Sequence, residues 1–302
     1  MATTPNRRAK KKTAPAANKT APAAKKNRRA PPRKRTHRAQ ARTATYREPT
    51  IREPLVAPDW LYPAARVMLA LWVLLPAALV TASAFLDTFT AATIGGSALH
   101  APAFWFFLFG LGTWCIAFAV LTRPMTAYVL GHELTHAFFI LLHGGRIEKF
   151  EVTPEGGYVV TDKNNLIISL SPYFVPFYSV VLIIAAAITG LFVDFTHHHT
   201  GLFFGFASFK WLWAIFALIG LSWGFHLTFT IWMIAKDQPD LREYGIFFSL
   251  VLIFLVNVLI ITGGLVLASP DTTVASFAEH WQANATDLTA WAGRIASAAF
   301  GL

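Results

Sequence analysis

The 302-residue chain is 55% hydrophobic and 14% aromatic, and only 14% of it is charged. A soluble domain carries about 25% charged residues, so this composition excludes an ordinary water-facing surface over most of the length. The net charge of +10 is uneven: residues 1–54 hold 17 of the 26 Lys and Arg and two of the 16 acidic residues, and the rest of the chain is net acidic. The single cysteine, Cys115, excludes an intramolecular disulfide framework. It sits in an apolar run and reads as a small hydrophobe.

Residues 1–54 are mostly Lys, Arg, Ala, Pro and Thr. Such a stretch cannot bury enough surface to offset the entropy of ordering and is expected to be disordered. It lacks the h-region of a signal peptide and the interleaved aromatics of a base-stacking segment. A solvated basic arm near a membrane surface is the reading, with no specific nucleic acid expected.

Six stretches then have the apolar length needed to cross a hydrocarbon core: 67–86, 103–121, 125–142, 166–192, 212–235 and 246–266. The fourth carries Pro172 and Pro176 near its start, which predicts a broken or re-entrant opening. Trp60, Tyr62, Trp105, Trp211, Trp213 and Tyr244 lie near stretch ends, where interfacial aromatics belong. Between the third and fourth stretches, Phe150 and Val152 precede Pro154-Glu155-Gly156-Gly157, and Tyr158-Val159-Val160 follow. Apolar residues on both sides of a Pro/Gly turn predict a β-hairpin. In 271–302, Val274, Phe277, Trp281, Leu288, Trp291 and Ile295 recur at helical spacing. That segment is expected to be an amphipathic helix, lying on the membrane or packed on the bundle.

The expected fold is thus an all-α integral membrane protein of six transmembrane helices, with a small β-hairpin after the third and a disordered basic N-terminal tail. Its parts are the tail at 1–54, a transmembrane domain at 55–268 and a C-terminal amphipathic helix at 269–302. The cell membrane is its expected location, and the oligomeric state stays open.

The strongest chemical signal is His132-Glu133-Leu134-Thr135-His136 in the third stretch. On a helix, positions i and i+4 share a face, so both imidazoles can bind one Zn²⁺. The glutamate beside the first can serve as general base toward a water. Three ionisable groups in an apolar span are costly and mark function by default. A catalytic zinc needs a third protein ligand. Asp240, in the segment after the fifth stretch, is one candidate. On residues alone it is either a ligand or part of a solvated loop with Asp237, Arg242 and Glu243. His197-His198-His199 reads as a solvated loop. His226 sits too far along its helix from Asp240 to share that metal, and Asn257 reads as an interhelical hydrogen-bonding residue.

Gly131-His132-Glu133-Leu134-Thr135-His136 on a membrane helix, a Gly-containing hairpin after it and a later Pro239-Asp240 pair resemble the site-2 protease family of intramembrane zinc metalloproteases. The resemblance covers roughly 123–266. It implies His132, His136 and Asp240 as zinc ligands, Glu133 as catalytic base, and a membrane-protein segment as substrate. Gln238 stands where the family often has Asn, Leu241 where it has Gly, and Ser171-Pro172 where it has Gly-Pro. Two other readings stay open. One is a membrane metalloprotease of the prenyl-protein-processing or quality-control type, whose third ligand is a glutamate, here Glu243. The other is a non-catalytic membrane scaffold with a decayed site.

The topology implied by the sequence is in conflict. A basic tail is retained on the cytoplasmic side. Counting every stretch as a crossing sets the hairpin and Asp240 on the opposite side, whereas the resemblance puts them in the cytoplasm.

Overall fold

A computed structural model describes residues 60–202, 207–236 and 238–301. The basic stretch 1–54 and Asp237 lie outside the described residues, and so do the expectations placed on them.

The first helix, α1 (Leu61–Thr93), is 33 residues long. Its turn Ala70–Leu74 is widened to a π-helix just before Pro76. Proline has no N–H to return to the carbonyl four residues back, so the helix relaxes there instead of breaking. Next come α2 (Pro102–Val120) and α3 (Met125–Leu142). The α3 helix stops in a Schellman turn: Gly144 has φ 71°, its N–H bonds the Leu141 carbonyl, and the Gly145 N–H bonds that of Ile140. Strands β1 (Ile147–Thr153) and β2 (Gly156–Thr161) form the expected hairpin, pairing Phe150 with Val159 and Val152 with Gly157.

The fourth apolar stretch is broken, as its prolines predict. A short α4 (Leu166–Leu170) and a 3₁₀ turn, Ser171–Tyr173, meet α5 (Phe177–Gly190) at 82°. A second small hairpin, β3 (His199–Leu202) with β4 (Ala207–Phe209), leads into α6 (Trp211–Ile234). The loop reading of the histidine run is corrected here, because His199 opens a strand. The chain ends with α7 (Pro239–Tyr244), α8 (Ile246–Ala268) and α9 (Val274–Phe300).

Five helices are long and apolar enough to cross a membrane, or six if the bent pair counts as one span. Their outward residues are apolar and uncovered, for example Phe109 at 68% and Leu267 at 91% exposure. A protein that faced water throughout would not present such a girdle. The expected amphipathic C-terminal helix is α9. It packs on α1, with Trp281 Nε1 donating to Thr81 Oγ1 and Asn284 to Asp87.

Contacts fix the relative directions of the helices. Phe118 meets Trp232, Trp114 donates to Thr228, and Phe107 lies against Gly220, so α2 and α6 are parallel. Ser179 bonds Ser222 and the Phe195 carbonyl takes the Leu212 N–H, so α5 is antiparallel to α6. Arg66 bonds the Glu243 carbonyl at one end of α1, and Ser97 bonds Asp271 at the other. Hence α1 and α8 are parallel. Six successive crossings would make the first and last antiparallel, so one stretch makes no net crossing. Between the parallel α2 and α6 there is room for one crossing, and α5 makes it. The third stretch therefore does not carry the chain to the far end of the bundle, and α7 lies beside the start of α1. Of the two placements left open by the sequence, the one from counting every stretch as a crossing is not the arrangement of this bundle, where Asp240 and the start of α1 share one end.

Candidate metal centre

The α3 helix is the inner wall of the site. Tyr128, Val129, Gly131, Glu133, Thr135, Ala137 and Ile140 are buried. Tyr128 stacks on Phe229 of α6 with ring centroids 4.6 Å apart, which fixes the rotation of α3 about its axis. That rotation turns His132 and His136, one helical turn apart, toward α7.

Asp240 meets them there. His132 Nε2 and His136 Nε2 are 3.2 Å apart, and they lie 3.5 and 3.6 Å from Asp240 Oδ2. These three residues form a cluster that could hold a metal ion. The geometry fits the donor set: a tetrahedral zinc with ligands at about 2.0–2.1 Å spaces them about 3.3 Å apart. His132, Glu133, His136 and Asp240 all line a cavity of about 640 Å³ between α3, β2 and α7, which leaves room beside the three donors.

Each of the three is oriented from behind. His136 Nδ1 is 2.8 Å from the Ile168 carbonyl oxygen, which can only accept. Nδ1 therefore carries the hydrogen and Nε2 keeps its lone pair for the cluster. His132 Nδ1 is 3.3 Å from the Tyr128 hydroxyl. The Tyr173 hydroxyl donates to Asp240 Oδ2 at 3.1 Å. Burial opposes charge on Asp240, but the two imidazoles beside it outweigh that and hold the carboxyl well below the ordinary range.

Glu133 is 6% exposed and borders the same cavity. The β-hairpin comes down on it at Gly157, where a Cβ would stand 2.6 Å from Glu133 Cγ and 2.7 Å from Val129 Cγ1. Only glycine permits that approach.

Glu243, the alternative third ligand, is placed elsewhere. Asn164 Nδ2 donates to both of its carboxylate oxygens at 2.9 Å. His226 stays out of the cluster. It lines a separate cavity of about 20 Å³ behind His132, and its Nε2 is buried without a hydrogen-bond partner. Asn257 donates to the Tyr173 carbonyl at 3.0 Å, the inter-element bond expected of it.

Sequence reasoning missed Tyr128, Tyr173, Ile168 and Gly157. Tyr128 could have been found, since it lies four residues before His132 and so shares its face. The others carry no local signal, because tertiary packing alone brings them to the site. The chain matches no family model, no curated protein and no solved structure.

Proposed function

We propose that the chain is a zinc-dependent intramembrane endopeptidase of the site-2 protease kind, acting on membrane-embedded protein segments. The observation that carries this reading is the convergence of His132, His136 and Asp240, with Glu133 on the same cavity. Zinc bound there supplies Lewis acidity toward a water and a peptide carbonyl.

The chain's own residues do the rest. Glu133 takes a proton from the attacking water as the new C–O bond forms, and passes it to the amine nitrogen as the C–N bond breaks. Tyr173 and the Ile168 carbonyl hold the ligand side chains in place. A transmembrane substrate hides its carbonyls in its own helix and must unwind to be cut. Strand β2 lines the cavity, and β1 pairs along one of its edges. The other edge offers backbone donors and acceptors to an unwound segment, which can add as a strand.

The test uses detergent-purified protein, metal analysis and cleavage of a membrane-protein substrate. One zinc per wild-type chain is expected, lost in His136→Ala. Glu133→Gln keeps the zinc and loses cleavage by at least about 100-fold, as removing a general base does. Cleavage surviving in Glu133→Gln removes the assigned base. A folded, zinc-supplied wild type without metal removes the reading as a whole.

A further inference from the structure

A six-residue helix has little stability of its own, yet α7 must present Asp240 to within 3.6 Å of two imidazoles. Asp240 and Glu243 are three residues apart and share a face of α7. That face meets residues 164–173. Asn164 Nδ2 lies 2.9 Å from each oxygen of Glu243, and Ser169 Oγ lies 2.9 Å from Glu243 Oε2 and from Asn164 Oδ1. The same ten residues supply the Ile168 carbonyl to His136 and the Tyr173 hydroxyl to Asp240. Other contacts also hold α7, among them the Arg66 guanidinium 5.0 Å over the Tyr244 ring. Leu241 is buried against Leu170, Tyr173 and Ile253, and the Leu241 and Glu243 carbonyls accept from Ser249 and Arg66.

We propose that Glu243 is a latch: its bonds to Asn164 and Ser169 hold α7, and with it Asp240, against the two histidines, making Asn164 and Ser169 positioning residues of the metal centre. The inference rests on the metal reading given above. It assigns Glu243, the glutamate weighed above as the alternative ligand, to holding Asp240 in place.

The experiment is chelator competition for zinc on the full-length protein in detergent. Asn164→Asp sets two carboxylates face to face and is expected to weaken zinc binding by about 10- to 100-fold, the range typical of residues that orient ligands. Asn164→Asp with Glu243→Gln restores an amide–carboxylate pair in the opposite sense, and most of the loss should return. In an Asp240→Ala background, Asn164→Asp should cost nothing further, since the ligand that it positions is gone. General unfolding by the substitution would give neither the rescue nor the lost additivity. Wild-type affinity in Asn164→Asp, or a double variant as weak as the single, overturns the latch while leaving the metal reading intact. A wild type that binds no zinc overturns both.

Discussion

Gly157 is where strand β2 touches the proposed base. Alanine there would put a methyl carbon 2.6 Å from Glu133 Cγ and 2.8 Å from the Glu151 carbonyl oxygen. Overpacking of this kind costs about 1–3 kcal/mol, and the hairpin is the part free to yield. Gly157→Ala should therefore keep its zinc while cleavage falls at least tenfold, about 1.4 kcal/mol of the barrier. Unchanged turnover would mean that the strand has no part in holding substrate. The residues that offer lone pairs were legible because their geometry is local: His132 and His136 are one turn apart, and Glu133 is covalently next to the first. Asp240 was legible as one candidate for the third ligand, with a solvated loop as the other reading, and the resemblance pointed to the ligand. Glycine 157 was read as a turn residue, although its side of the hairpin sets the distance to Glu133. Such a role depends on which helix the hairpin meets, and hydropathy does not encode it.

At the scale of elements, α2 and α6 approach each other backbone to backbone. A Cβ on Gly110 would overlap the Ala217 carbonyl oxygen, and one on Gly220 would overlap that of Phe107. Small residues let helix backbones approach where lipid offers no hydrophobic drive to association. Backbone atoms cannot step aside. Gly220→Ala is expected to lower thermal stability in detergent by about 1–3 kcal/mol, whereas Gly112→Ala, with nothing within 4 Å, should melt like the wild type. Equal melting of the two would show that the crossing is looser than drawn. The helices themselves were readable from hydropathy, and α3 has the bounds expected of it. The α7 helix was not read as an element, although Pro239 at its start and Gly245 just past its end are a helix signature. Its six residues are too few for periodicity to register.

For the whole molecule, parity matters more than the number of apolar stretches. The start of α1 and the segment bearing Asp240 share one end of the bundle, and the α1–α2 turn shares the other with Asp271. In a Cys115→Ala background, a membrane-impermeant thiol reagent should label Tyr62→Cys and Lys236→Cys from one side of sealed vesicles and Leu99→Cys from the other. Labelling of Tyr62→Cys and Lys236→Cys from opposite sides would restore the six-crossing count. The sequence could not decide this, because 125–142 has the length and hydropathy of a span, and only its partners show where the chain goes next.

Two of the three clustered donors are four positions apart, and the third comes 104 positions after His136. An ion gripping all three would therefore be a cross-link as well as a reagent. It would pin α7 to α3 and close a loop that contains the hairpin, the broken α4–α5 pair and α6. Closing a loop of that length removes several kcal/mol of chain entropy from the unfolded ensemble, by about (3/2)RT ln n plus a constant. The same atoms that make the site chemically capable would tie together the two halves of the sequence that build it.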